Sequence, residues 1–176
     1  MSKQVKIELI ADKLPVKYRY RQFVRLSTLF LSLLIVAYCL YFMSYFFLPD
    51  TPTLAKLMTI AVLFVAIQGI VNKLMDVNSL TFEEAGLEIG YIGRMSKSVD
   101  YKHITEIRLD GTRSFSIVVH YLNHKGNNKS FTLKQSFPHK PEILLNIVEL
   151  SPNAKTSEQI KKVVEVLKQG ALQSVQ

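Results

Sequence analysis

The sequence predicts a membrane α-hairpin joined to a small α+β module, an antiparallel β-barrel or sandwich closed by a C-terminal helix. Two long apolar stretches, residues 26–48 and 57–71, lie close together in the first half. Beyond Met75 the apolar residues switch to short runs that alternate with polar ones, the period of half-buried strands. The last of these runs is followed by apolar residues at 3–4 spacing, which mark a helix.

The first stretch has 23 residues without a charge. A helix rises about 1.5 Å per residue, so ~20 residues cross ~30 Å of hydrocarbon. A cleavable signal peptide is excluded, because the polar lead is 25 residues long and no small-x-small site follows. Tyr38, Tyr41, Tyr45, Phe46 and Phe47 crowd the second half, as in an aromatic belt at the far interface. A loop with Pro49, Asp50 and Pro52 leads to the second stretch of 15 residues. Extended to residues 53–72 it has 20, with Lys56 snorkelling to the interface. Fifteen apolar residues also suit a buried helix of a soluble protein, but the neighbouring span favours the bilayer. Gln68 is strongly polar at membrane depth and is a candidate for a hydrogen bond to another helix. Neither stretch holds an ionisable group, which argues against an ion or proton pathway.

The net charge is +8, and it is unevenly spread. Residues 1–25 carry seven Lys and Arg against Glu8 and Asp12, while residues 78–150 carry nine basic and eight acidic residues. A nucleic-acid binder would concentrate its basicity on the folded module, so that class is set aside. Here the excess flanks the first span. With a single basic residue, Lys56, in the loop between the spans, the positive-inside rule places the arm in the cytoplasm. Two crossings return the chain to that side. The expectation is a two-pass protein of a bacterial inner membrane with both termini cytoplasmic. Its parts are a basic arm (1–25), a hairpin (26–73, with spans at 26–48 and 54–72), a module (78–150) and a tail (151–176). Cys39 is the only cysteine, which rules out an intramolecular disulfide and a Cys-rich metal site.

Within the module, strands are predicted at 79–83, 87–91, 95–101, 104–109, 114–122 and 129–134. Gly90 and Gly93 suggest a bend or bulge. Asp110-Gly111 is a strong turn signal. Phe115, Ile117, Val119 and Tyr121 share one face of the clearest strand, and Phe131 and Leu133 turn inward on the next. Pro141 suits a first helical turn, and Ile143, Leu144, Ile147, Val148 and Leu150 form the stripe that follows.

Three places carry a family resemblance: Leu80-Thr81-Phe82 with Glu83-Glu84-Ala85-Gly86-Leu87, then Val99-Asp100-Tyr101-Lys102-His103-Ile104-Thr105-Glu106-Ile107, then the helix 143–150. In these, residues 78–150 resemble the bacterial pleckstrin-homology-like (PH-like) domains that are fused to paired membrane helices. The resemblance implies a PH-like module that binds or scaffolds without catalysing a reaction. Relatives of that fold bind phosphoinositides through basic residues in the first strands and their loop. The matching loop here is acidic, Glu83-Glu84, which argues against that ligand.

The tail shows a capping box, Thr156-Ser157-Glu158-Gln159, with Thr156 as N-cap. Ile160, Val163, Val164 and Leu167 then form an apolar face. That face either packs on its own module or docks a protein partner or the membrane surface. In the arm, Val5, Ile7 and Leu9 alternate with charges, as in a strand able to pair with the module's edge; a disordered basic arm is the alternative.

No catalytic constellation is legible. His103, His120, His124 and His139 lack the carboxylate or thiolate partners of a zinc site, and Gly90-Tyr91-Ile92-Gly93-Arg94 lacks the lysine of a phosphate loop. The chain is expected to need no cofactor and to hold a binding module at the bilayer. Its partners would be the lipid bilayer and an unidentified protein, with homo-oligomerisation compatible. Candidate contacts are Lys97, Lys102, Arg108 and Arg113 on the module, the four tail residues, and Gln68 in the hairpin. A second reading makes the chain a small accessory or assembly subunit of a larger membrane complex, bound through its hairpin.

Overall fold

The computed structural model describes residues 10, 13–111 and 115–173, the last four in backbone only. The expected strand at Val5–Leu9 lies outside the described residues. The chain divides into two compact units. One comprises Arg21–Asp76 with Ile92–Arg94; the other comprises the chain up to Tyr20, Val77–Tyr91 and everything from Met95 onward.

The first unit is a helical hairpin of α1 (Gln22–Phe46) and α2 (Thr53–Met75). Both are long and apolar enough to cross a membrane. The helices are 25 and 23 residues long, because each continues into polar flanks beyond its apolar stretch. Between them Thr51 stiffens the turn: its hydroxyl donates to the Phe46 carbonyl and accepts the Leu48 N–H. At the open end Arg25 is buried, and its guanidinium donates to the carbonyls of Lys73 and Asp76. A helix leaves its last carbonyls unpaired. Arg25 of α1 thus caps α2, and its positive charge suits the negative end of that helix.

The second unit holds two four-stranded sheets. In the first, β1 (Val16–Arg19), β2 (Val77–Phe82), β3 (Gly86–Tyr91) and β4 (Lys97–Asp100) pair antiparallel in that order. In the second the order is β7 (Asn128–Leu133), β6 (Ser116–Leu122), β5 (Ile104–Asp110), β8 (Lys155–Thr156), with β8 parallel to β5. Among the described residues the sheets do not close into a barrel. A single 3-10 turn, Tyr101–His103, breaks the chain between β4 and β5, so the last strand of one sheet does not run on into the other. The α+β class holds, and the closed barrel does not.

Strand β1 is the main departure from the sequence reading. Residues 16–19 lie in the basic arm, yet Val16 to Arg19 pair with Phe82 to Ser79. Tyr18 turns inward while Lys17 and Arg19 face out, the period-two pattern of a half-buried strand. The hairpin is therefore an insertion between two neighbouring strands of one sheet.

The register irregularity lies in β2, opposite the glycines rather than among them: the register shifts between Val77 and Ser79, and Ser79 pairs with Gly90. A Cβ at Gly90 would lie 2.3 Å from the Ser79 hydroxyl, so a larger residue there displaces Ser79.

Both sheets and α3 (Lys140–Leu150) contribute to one core. Leu80, Phe82, Leu87, Ile89, Ile107, Ile117, Leu133, Ile143 and Leu144 are fully enclosed in it. The faces expected of Ile117, Val119 and Tyr121, and of Phe131 and Leu133, point inward. Helix α3 is buried more broadly than its stripe predicts, at Leu145 and Asn146 as well. On another flank it meets α4 (Glu158–Gln173), and Ile10, ahead of β1, reaches it as well. Asn146 Oδ1 accepts the Ile10 N–H at 3.0 Å, and its Nδ2 donates to the Glu142 carbonyl. The α4 cap falls one residue later than expected: the Ile160 N–H donates to the Ser157 hydroxyl, and Thr156 belongs to β8.

Tyr101 ties the 3-10 turn to the β2–β3 turn, its hydroxyl donating to the Glu83 carbonyl at 2.9 Å. Burial, and then the Glu83 carboxylate, push its phenol well above the ordinary value. The folded state therefore favours the protonated phenol. Its contribution is fully present below pH ~10, the unfolded value, and declines as pH rises beyond it. Tyr101→Phe should cost about 1 kcal/mol at neutral pH for the lost bond. It should also flatten the alkaline limb of a stability-against-pH curve measured by urea unfolding.

Candidate functional site

Two surfaces qualify, one in each unit. The hairpin presents its apolar side chains outward: Phe23, Tyr38, Tyr45, Leu54, Phe64 and Val65 are each more than 60% exposed. A helix apolar on every side is either buried in protein or embedded in lipid, and these helices are not buried. Tyr41 and Tyr45 (4.8 Å between centroids) and Phe42 and Phe46 (5.2 Å) cluster in the last turns of α1, where the belt was expected. Cys39 is enclosed beside a groove of about 510 Å³ between the helices, lined by Leu34, Tyr38, Phe42, Met58 and Val62. Gln68 lies exposed on α2.

On the module, Lys97 is exposed on β4 and Lys102 in the 3-10 turn, whereas Arg108 is on β5 in the other sheet. Arg108 Nε donates to Glu106 Oε1 at 2.7 Å. That bond lowers the Glu106 carboxyl and raises the Arg108 guanidinium relative to their ordinary values. The pair is solvent-exposed, so its contribution to stability is small. Arg113 lies outside the described residues. Of the three described basic candidates, Arg108 thus stands on a different sheet from Lys97.

The structure instead gathers residues that the sequence kept apart. Lys97, Asp100, His103, His124 and Lys129 line a cleft of about 260 Å³ beside β4. Within it, His103 Nδ1 is 3.4 Å from Asp100 Oδ2. Only the i,i+3 spacing of Asp100 and His103 is visible in the sequence; His124 arrives with the β6–β7 turn and Lys129 with β7.

The tail face is covered by the module itself. Ile160 and Val164 are buried in the core, and Val163 and Leu167 are half-buried against it. Of the two expectations for that face, packing on its own module is the one seen, so these four residues offer no free docking stripe while α4 is in place. Lys168 Nζ meets Glu149 Oε2 across the α3–α4 contact.

Among the described residues, no group of three or more His, Cys, Asp or Glu side chains is placed to hold a metal ion. Comparison with protein-family models, with curated proteins and with solved structures finds no match to this chain.

Proposed function

We propose that this chain is a two-pass membrane protein that mounts a non-catalytic, PH-like interaction or scaffold module on the bilayer. One observation carries the reading: β1 precedes the hairpin, β2 follows it, and the two pair residue for residue. Paired strands lie ~4.8 Å apart, so both ends of the hairpin leave the membrane on one face, beside the same sheet. The module is thereby held at two covalent points. The seven Lys and Arg of residues 1–25, against Lys56 alone near the start of α2, support a cytoplasmic placement of that face, and the membrane in this reading is a bacterial inner membrane. The PH-like assignment draws support from four strands, then three, in a meander closed by α3.

The test is crosslinking in native membranes with mass spectrometry, on the full chain and on a chain with residues 26–72 replaced by an unrelated hairpin. Retention of the same protein partner in both is expected. Loss of the partner with the swap would overturn the scaffold reading. It would favour the second one, an accessory or assembly subunit recognised through its hairpin, which the exposed carboxamide of Gln68 on α2 supports.

A further inference from the structure

We propose that the turn Ile92–Met95, between β3 and β4, is a third membrane contact that seats in the headgroup layer of an anionic bilayer. The inference rests on the reading of α1 and α2 as spans and adds a surface that neither helix provides. The Gly93 N–H donates to the Leu74 carbonyl at 3.2 Å. Leu74 is the penultimate residue of α2. The approach is close: a Cβ at Gly93 would lie 2.8 Å from the Leu74 Cβ. Only glycine fits there without displacing α2.

Depth then follows from length. At about 1.5 Å per residue, α2 slightly exceeds ~30 Å of hydrocarbon, so its last turn lies at the boundary with the headgroups. A turn hydrogen-bonded to that last turn lies at the same depth. Its side chains suit the location. Ile92 is 37% exposed, Met95, the next residue after Arg94, is 90% exposed, and Met75 at the end of α2 is 54% exposed. Arg21, Lys73 and Arg94 belong to the same end of this unit, where Asp76 is the one carboxylate. Apolar side chains at the acyl boundary, backed by basic residues at phosphate level, are what an anionic interface binds.

The test uses nitroxide labels on the full chain in bilayers of phosphatidylcholine with phosphatidylglycerol. In a Cys39→Ala background, one label is placed at Met95→Cys and another at Val65→Cys, an exposed site near the middle of α2. Collision with oxygen, which partitions into lipid, is compared with collision with a water-soluble nickel chelate. A free nitroxide in buffer gives the aqueous reference. The expected result is a several-fold shift from nickel towards oxygen at Met95, short of that at Val65. A Met95 label matching the aqueous reference, with Val65 in lipid, overturns this inference and leaves the spans intact. A Val65 label that is also aqueous overturns both.

Discussion

Phe82→Ala should destabilise the module by about 4 kcal/mol, within the range of buried Phe truncations. Phe82 is fully enclosed, and its ring meets Tyr18 edge to face at 5.7 Å. It also pairs with Val16 across the sheet. The substitution therefore loosens β1 as well as leaving a cavity. Two readouts follow. Denaturant unfolding of the full chain in micelles should show the lost stability. Trypsin should cut faster at Lys17 and Arg19, the two basic residues of β1. Undiminished protection there would mean that β1 is held by its backbone ladder alone.

Arg25→Ala should cost about 3 kcal/mol, the sum of two charge-assisted bonds to the end of α2. The lost bonds leave the carbonyls of Lys73 and Asp76 without the guanidinium that now caps them. Arg25→Lys should recover only part of the loss, since an ammonium does not present a planar fork of donors to two carbonyls. The effect should appear as easier separation of α1 from α2, read by crosslinking between cysteines placed at the hairpin base. Equal crosslinking in the wild-type and Arg25→Ala chains would show that the interhelical apolar contacts alone hold the base together.

Local patterns carried the parts of the fold that depend on local physics. The charge-free stretches record two long apolar helices, while the alternation through Ile117, Val119 and Tyr121 and the stripe through Ile143, Leu144 and Ile147 each record a burial that neighbours in sequence share. Strand β1 has no such record. It is four residues long, two of them basic, and its partner lies beyond 57 intervening residues. Lys17 and Arg19 serve both as the outward face of a strand and as part of the positive flank of a long apolar helix, and the second pattern masks the first. Asn146 reads as a polar interruption of a helical stripe, until the N–H of Ile10 supplies its reason. The tail cap was displaced by one residue because Thr156 and Ser157 are both competent caps, and β8 takes the first. Of the described candidate contacts, Lys97 alone lines the cleft beside β4; the other residues of that cleft come from both sheets and the turns beside them.

The position of β1 ahead of the hairpin has a consequence for biosynthesis. The ribosome delivers β1 first, then both spans, and only then the strand that β1 must join. Closing so long a loop through a disordered chain is slow and entropically costly. Folding of α1 against α2 brings the two ends together and removes most of that cost. The inserted hairpin thus templates the first strand pair, and until it forms, the outer edge of β2 stays open to pairing with other chains. Completion of the sheet is in this way coupled to formation of the hairpin, which limits how early a finished module can exist.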